Sequence, residues 1–121
     1  TFIDGGALGF DTIAAETVIE MREKYQNIKL VMYLPCYGQS KMWKESEQFR
    51  YRMVLSKADK IIYITESVYT DDCMKLRNLK MIKDSSFCIA FCLMQKSGTG
   101  FTLRNAENVG IEIVNIADEM Y

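Results

Sequence analysis

The sequence predicts an α/β fold in which a mostly parallel, doubly wound sheet carries helices on both faces. Short apolar runs typical of strands alternate without a break with segments whose apolar residues recur every three or four positions, as in helices. A glycine-rich turn also joins the first apolar run directly to the first helical segment. Strict alternation of strand and helix gives parallel strands, because each helical crossover returns the chain to the same end of the sheet.

Five apolar runs are predicted as strands, and they cover residues 1–3, 28–34, 60–64, 87–93 and 111–116. Pro35 ends the second run, because proline has no N–H to donate to a ladder. The fourth run is apolar at successive positions, which is typical of a central strand buried on both faces.

Four helices are predicted between these strands, with apolar residues at helical spacing over residues 10–25, 45–58, 76–82 and 101–109. Ligands in doubly wound sheets bind beyond the carboxyl ends of the strands. The segments that follow strands are therefore the places to look for a site, namely residues 4–9, 35–44, 65–72 and 95–100. The first and the last of these four are rich in glycine.

Length and charge narrow the class of protein. A chain of 121 residues is expected to form one domain, residues 1–121, with a single core. The net charge is -1, from 15 basic and 16 acidic side chains, whereas proteins that bind duplex nucleic acid usually carry a basic excess. No apolar run is long enough to cross a membrane and no signal peptide is visible, so we expect a cytoplasmic protein.

The cysteine and histidine content argues against several kinds of chemistry. The four cysteines form no C-x-x-C pair and the chain has no histidine, so we predict no metal site and no cofactor. Buried, reduced thiols are the expected state of the cysteines. Without histidine, Ser-His and Cys-His triads are excluded, and catalysis would need a carboxylate, Tyr, Lys, Arg or a hydroxyl group.

The first glycine-rich segment, Gly5-Gly6-Ala7-Leu8-Gly9, runs from a strand into a helix. Glycine lets backbone approach a ligand closely, and the free N–H groups of a helix N-terminus favour an anion. We therefore predict that Gly5, Gly6 and Gly9 bind a phosphate group. The alternative is a tight strand-to-helix turn without a ligand. The pattern is not G-x-G-x-x-G, because Asp4 occupies the first position, so it indicates a dinucleotide site only weakly.

Acidic side chains follow that turn at Asp11 and Glu16. Compensation of the helix dipole is one explanation for an acidic residue in the first turn. The functional alternative is a hydrogen bond from Asp11 or Glu16 to a ribose or a base.

The second glycine-rich segment contains Ser97, Gly98, Thr99 and Thr102, which offer main-chain donors and hydroxyl groups at another helix N-terminus. Loops of this composition are common. If both glycine-rich segments face one crevice, they can hold a nucleotide phosphate between them.

Arg77 is a candidate for neutralising that phosphate, since guanidinium forms bidentate pairs with phosphate oxygens. A solvated helix face is the alternative for Arg77, as it is for Arg104 and Asn105. Trp43 and residues 35–39 form a polar and aromatic rim that could stack on a base, although a place in the core or in a lid is the commoner role of tryptophan.

Together these residues resemble the SLOG superfamily, which includes the Smf/DprA and LOG proteins, and in particular its YpsA-like branch. The resemblance spans nearly the whole chain and implies a Rossmann-like domain that binds nucleotides or their derivatives across the two glycine-rich loops. It rests on Gly5 to Asp11 with Ala15-Glu16, Leu34-Pro35-Cys36, Gln48 to Tyr51 with Ala58-Asp59, Cys73-Met74 with Arg77-Asn78, and Ser97-Gly98-Thr99 with Thr102.

The LOG enzymes of this superfamily hydrolyse the bond between a base and ribose monophosphate. This sequence departs from the pattern of their catalytic loop. Those enzymes carry a P-G-G-x-G-T-x-x-E loop, whereas here no proline precedes Ser97 and Asn105 stands at the glutamate position. An oxocarbenium-like transition state needs a carboxylate, and Glu16 and Glu107 are the nearby candidates for a catalytic role. A nucleotide-binding or nucleotide-sensing domain is therefore favoured, phosphoribohydrolase activity is the alternative, and DNA binding as in Smf/DprA relatives is a lesser one.

The resemblance also implies that the first βα unit of the family is missing from this chain. Members of the branch begin with a strand that ends in a Thr-Gly-His-Arg-like loop, which this sequence lacks. Its loss would leave a gap in the sheet, and unpaired strand edges invite pairing. We therefore expect the chain to form a homo-dimer or to be prone to aggregation.

Overall fold

A computed structural model of the chain describes residues 1–65, 70, 72–94 and 96–120. Within them, strands and helices alternate as β1 (Phe2–Asp4), α1 (Phe10–Met21), β2 (Leu30–Leu34), α2 (Glu45–Lys57), β3 (Lys60–Tyr63), α3 (Cys73–Lys83), β4 (Phe87–Ala90), α4 (Gly98–Asn108), β5 (Glu112–Asn115) and α5 (Ile116–Met120). All paired strands are parallel. The predicted Rossmann-like α/β class is confirmed. Helix α5 was not predicted.

Two of the segments predicted to follow strands are described only in part. In the segment 65–72, residues 66–69 and 71 lie outside the described residues, as does residue 95 in the segment 95–100. None of the described helices combines the length and the apolar character needed to cross a membrane.

The chain divides into two compact units, residues 1–77 and 78–121. In the first unit the strands form one sheet in the order β1-β2-β3, and in the second unit β4 pairs with β5. The sequence predicts one sheet, but in the described part of the chain no ladder joins β1 to β4. The expectations of a single domain and of a dimer stay predictions.

The core of the first unit lies on one face of the three-stranded sheet. Leu30, Met32 and Leu34 alternate along β2, so their side chains share a face of the sheet. Side chains of α1 and α2 pack on that face, and the two helices also contact each other. The buried cluster consists of Ala15, Val18, Leu30, Met32, Leu34, Tyr51 and Val54.

Helix α1 ends at Met21, although the helical spacing of apolar residues continues to Tyr25 and Asn27 is predicted to mark its end. The next residue, Arg22, turns its side chain to α2, where it donates to the Lys57 carbonyl at 2.5 Å and to Asp59 Oδ2 at 2.7 Å. The same carboxylate oxygen accepts from the Leu30 N–H at 2.8 Å. Asp59 thus joins the end of α1 to the starts of β2 and β3.

Strand β4 is shorter and more exposed than the sequence predicts. The Asn115 side chain accepts from the Cys92 N–H at 2.9 Å and donates to the Cys92 carbonyl at 3.0 Å, so it continues the pairing beyond Ala90. Phe87 and Ile89 are 45% and 51% exposed. The expectation of a strand buried on both faces is wrong, because among the described residues β4 pairs with β5 alone.

We expect Leu34→Ala to lower the free energy of unfolding of the first unit by about 2–5 kcal/mol, because Leu34 is fully buried and its truncation leaves a cavity. Leu76→Ala is the matched control, since Leu76 is 47% exposed and loses little burial on truncation. Urea unfolding monitored by circular dichroism measures the free energy of unfolding of both variants. Equal losses in the two variants would contradict the placement of the core.

Candidate functional site

The turn after β1 lies directly on the core. The Oδ1 atom of Asp4, the last residue of β1, accepts from the Gly6 N–H at 2.8 Å, which is an Asx turn. Gly6 has φ of +68°, and a Cβ there would lie 2.9 Å from Leu34 Cδ2 and 3.1 Å from the Tyr51 ring. Both its backbone conformation and its surroundings therefore require glycine.

Arg77 of α3 supports this turn from inside the protein. It is 4% exposed, its guanidinium donates to the Gly5 carbonyl, and it also contacts the Met74 sulfur. A Cβ at Gly5 would lie 2.6 Å from Arg77 Nη1, so glycine permits the close approach. Arg77 thus positions the turn in the structure. Its predicted contact with a bound phosphate stays a prediction.

Asp11, in the first helical turn of α1, connects that helix to the glycine turn. Its Oδ2 atom accepts from the Ala7 N–H at 3.1 Å, and the neighbouring Thr12 hydroxyl donates to the Ala7 carbonyl at 3.2 Å. Gly9 is the N-cap residue, with φ of +86° and no side-chain capping bond. The Asp11 carboxylate therefore holds the turn, while its predicted contact with a sugar or base stays a prediction.

The two carboxyl groups and the guanidinium influence one another's protonation. Burial, together with the negative charge of Asp11, raises the pKa of Asp4 to about 8, although the Gly6 N–H and Arg77 act in the opposite direction. Burial also raises the pKa of Asp11 and lowers that of Arg77. Near neutral pH the Asp4 carboxyl group is therefore largely protonated.

The N-terminus of α1 offers main-chain donors beyond the anchored part of the turn. In the described part of the chain, no protein group accepts from the N–H of Leu8, Gly9, Asp11 or Thr12. Leu8 is 48% exposed. Such amides, together with the helix dipole, attract an anion.

The loop after β2 is linked to the glycine turn through Gln39. Its Nε2 atom donates to the Gly6 carbonyl at 3.3 Å and to the Tyr51 hydroxyl at 3.2 Å. Tyr51 also meets the edge of the Trp43 ring, with centroids 5.0 Å apart, and Trp43 packs against the core. Of the two roles considered for Trp43, packing against the core is therefore the one observed.

Two thiols are buried next to each other, Cys36 after β2 and Cys73 at the start of α3. Their sulfur atoms are 3.6 Å apart, and all four cysteines of the chain are free thiols. Burial and the bond to Cys73 raise the pKa of Cys36 to about 11, so this thiol is neutral at physiological pH. Among the described residues no cluster of three or more His, Cys, Asp or Glu residues could bind a metal ion.

Glu16 lies on the outer side of α1 and is engaged by α2. Arg50 donates to both of its carboxylate oxygens, at 3.1 Å and 2.6 Å, and these bonds lower the pKa of Glu16. The bidentate pair joins the two helices. A ligand contact or a catalytic role for Glu16 stays a prediction.

The second glycine-rich segment forms the start of α4. The Ser97 hydroxyl accepts from the Gly100 N–H at 3.1 Å and donates to the Met94 carbonyl at 2.5 Å, while Thr102 donates to the Gly98 carbonyl at 3.1 Å. Gly98 and Thr99 are exposed. Both hydroxyls predicted to bind phosphate are thus engaged within the helix start, and their ligand role stays a prediction.

Glu107 lies at the other end of α4 from this segment. Nine residues separate it from Gly98, which corresponds to about 13 Å along a helix axis. Its catalytic role stays a prediction. The two glycine-rich segments belong to different units. Their juxtaposition at one crevice also stays a prediction.

The sequence carried a signal for one residue that the prediction overlooked. Asp4 was considered only as a departure from a glycine motif, yet an Asp two residues before a Gly at a strand end is typical of an Asx turn. Gln39 and Tyr51 have no such local signal, because they reach the glycine turn from other loops and helices.

We expect Gly5→Ala to lower the free energy of unfolding by about 1–3 kcal/mol, because its Cβ would displace the Arg77 guanidinium. Gly98→Ala is the control, since a Cβ there meets no atom within 4 Å. Chemical unfolding measures both. A Gly5→Ala variant as stable as the parent protein would contradict the contact.

We expect the free energy of unfolding to fall by about 1 kcal/mol per pH unit between roughly pH 5 and 8. Unfolding returns Asp4 from a pKa of about 8 to its ordinary value of 3.8, so it releases a proton in this range and is favoured as the pH rises. Asp4→Asn retains an oxygen acceptor for Gly6 but cannot ionise, so its stability depends less on pH. If the free energy of unfolding of the parent protein and of Asp4→Asn fell equally with pH, the prediction would be wrong.

Comparison with known proteins identifies the relatives of this chain. A family model described as "YspA SLOG family" matches residues 1–110. Similar proteins include the UPF0398 proteins of Bacillus cereus strain B4264, at 35% identity, and of Bacillus cereus strain G9842 and Bacillus thuringiensis strain Al Hakam, both at 34%. Each match covers 98 residues, 80% of this chain and 53% of the relative, so the match spans about half the length of these curated relatives. With its parallel α/β fold and its glycine turn, the chain belongs to the YspA SLOG family.

Proposed function

We propose that this chain binds the phosphate group of a nucleotide or nucleotide derivative at the N-terminus of α1. The observation that carries the proposal is the set of main-chain donors at Leu8, Gly9, Asp11 and Thr12, for which the described part of the chain provides no acceptor. They follow a parallel strand at its carboxyl end, where ligands of such sheets bind.

The anchored half of the turn has a supporting role. The N–H groups of Gly6 and Ala7 bind Asp4 and Asp11, and the Gly5 carbonyl binds Arg77. These groups hold the backbone in place before a ligand arrives, which reduces the entropy lost on binding. The phosphate is therefore expected at Leu8 and beyond, with Gly5 and Gly6 shaping the turn.

The charge of the site is compatible with an anion. Two aspartates beside a phosphate site would repel the ligand if both were ionised. Because burial raises the pKa of Asp4 to about 8 and Arg77 lies beside the pair, the negative charge that the site presents to an anion is reduced near neutral pH. Ionisation of Asp4 at higher pH is expected to weaken phosphate binding.

The test uses titration calorimetry of this chain with adenosine monophosphate. Leu8→Glu places a negative charge at the exposed end of α1 and is expected to weaken binding roughly tenfold, a loss of about 1.4 kcal/mol. Leu8→Gln, which has a similar size and no charge, is the matched control and is expected to bind like the parent protein.

Two results would reject this proposal. One is an absence of binding by the parent chain at millimolar ligand. The other is equal affinity of the Glu and Gln variants, which would place the phosphate elsewhere. The same samples can be assayed for released adenine, and its release would favour the phosphoribohydrolase alternative instead.

A further inference from the structure

An exposed pair of aromatic rings lies at the same edge of the sheet as the glycine turn. Tyr63 is the last residue of β3, and Tyr37 follows β2 by three residues. Their ring centroids are 4.4 Å apart, and the ring planes are inclined by 37°. Tyr37 is 46% exposed and Tyr63 37% exposed, so aromatic surface remains open to solvent.

The pair is linked to the glycine turn through the loop after β2. Tyr37 is two residues before Gln39, whose side chain donates to the Gly6 carbonyl. The Gln39 Oε1 atom is buried and, among the described residues, has no hydrogen-bond donor. A buried acceptor without a donor is unfavourable, so the Gln39 amide oxygen can accept a hydrogen bond from a group other than the described residues.

The order of the strands sets the distance between the rings and the turn. β1 pairs with β2, and β2 pairs with β3, all in parallel. Adjacent strands are about 4.8 Å apart, so the carboxyl ends of β1 and β3 are separated by roughly 10 Å. This separation is of the order of the distance from phosphate to base in a nucleoside monophosphate.

We propose that Tyr37 and Tyr63 form a stacking surface for the nucleobase of a ligand whose phosphate lies at the N-terminus of α1. The inference rests on the proposed function and adds the residues that contact the rest of the ligand, a planar aromatic base joined to the phosphate through a sugar. Stacking on tyrosine requires only the flat face of a base, so the pair provides affinity with little discrimination among bases.

The test compares adenosine monophosphate with ribose 5-phosphate, which carries the same sugar phosphate without a base. The parent chain is expected to bind adenosine monophosphate more tightly. In the double variant Tyr37→Ala/Tyr63→Ala, affinity for adenosine monophosphate is expected to fall roughly tenfold or more, because base stacking is lost. Affinity for ribose 5-phosphate is expected to stay unchanged.

Two control variants separate stacking from other effects. Tyr37→Phe/Tyr63→Phe keeps the aromatic faces and is expected to retain the preference for adenosine monophosphate. Tyr25→Ala removes another exposed tyrosine, 50% exposed and located after α1, and is expected to change neither affinity. If the double alanine variant does not fold, ring-proton chemical shifts of Tyr37 and Tyr63 in the parent chain give the answer, since a stacked adenine shifts them upfield.

The outcomes distinguish this inference from the proposed function. Equal affinity of the parent chain for both ligands, equal loss for both in the alanine variant, or unmoved ring signals would overturn the stacking surface and leave the phosphate site standing. If the parent chain binds neither ligand, the phosphate site and the stacking surface are both wrong.

Discussion

The arrangement of the first unit depends on buried side chains that form hydrogen bonds with the backbone of the glycine turn after β1. Peptide groups in a loop have no ladder or helix to satisfy them, yet buried peptide groups need hydrogen-bond partners. Here Asp4, Asp11 and Arg77, from β1, α1 and α3, supply partners to the backbone of three consecutive residues, Gly5 to Ala7. The turn is therefore fixed by tertiary contacts.

This anchoring separates the structural part of the turn from the part that is proposed to bind a ligand. Glycine at positions 5 and 6 is explained by close contacts with Arg77, Leu34 and Tyr51, whereas a Cβ at Gly9 would meet no atom within 4 Å. The glycines of one motif thus serve different purposes. The first two allow the backbone to lie on the core, and the third permits the left-handed conformation from which α1 begins.

Parallel pairing brings chemically different loops to one edge of the sheet. The glycine turn follows β1, Gln39 and Tyr37 follow β2, and Tyr63 ends β3. A direct hydrogen bond from Gln39 to Gly6 shows that the first two loops are in contact. Main-chain N–H groups without a described acceptor and exposed tyrosine rings therefore occur at the same edge of the sheet, and the proposed nucleotide site depends on this combination.

The sequence by itself determined the order and type of nearly all elements and the position of the glycine turn. Periodicity, proline and glycine act within a few neighbouring residues, so such features can be read locally. Only the tertiary structure decided that Arg77 lies under the turn, that Arg50 engages Glu16, and that β4 leaves Phe87 exposed. Those contacts join residues far apart in the chain, and they follow from strand register and helix packing. A single sequence contains no local signal for either.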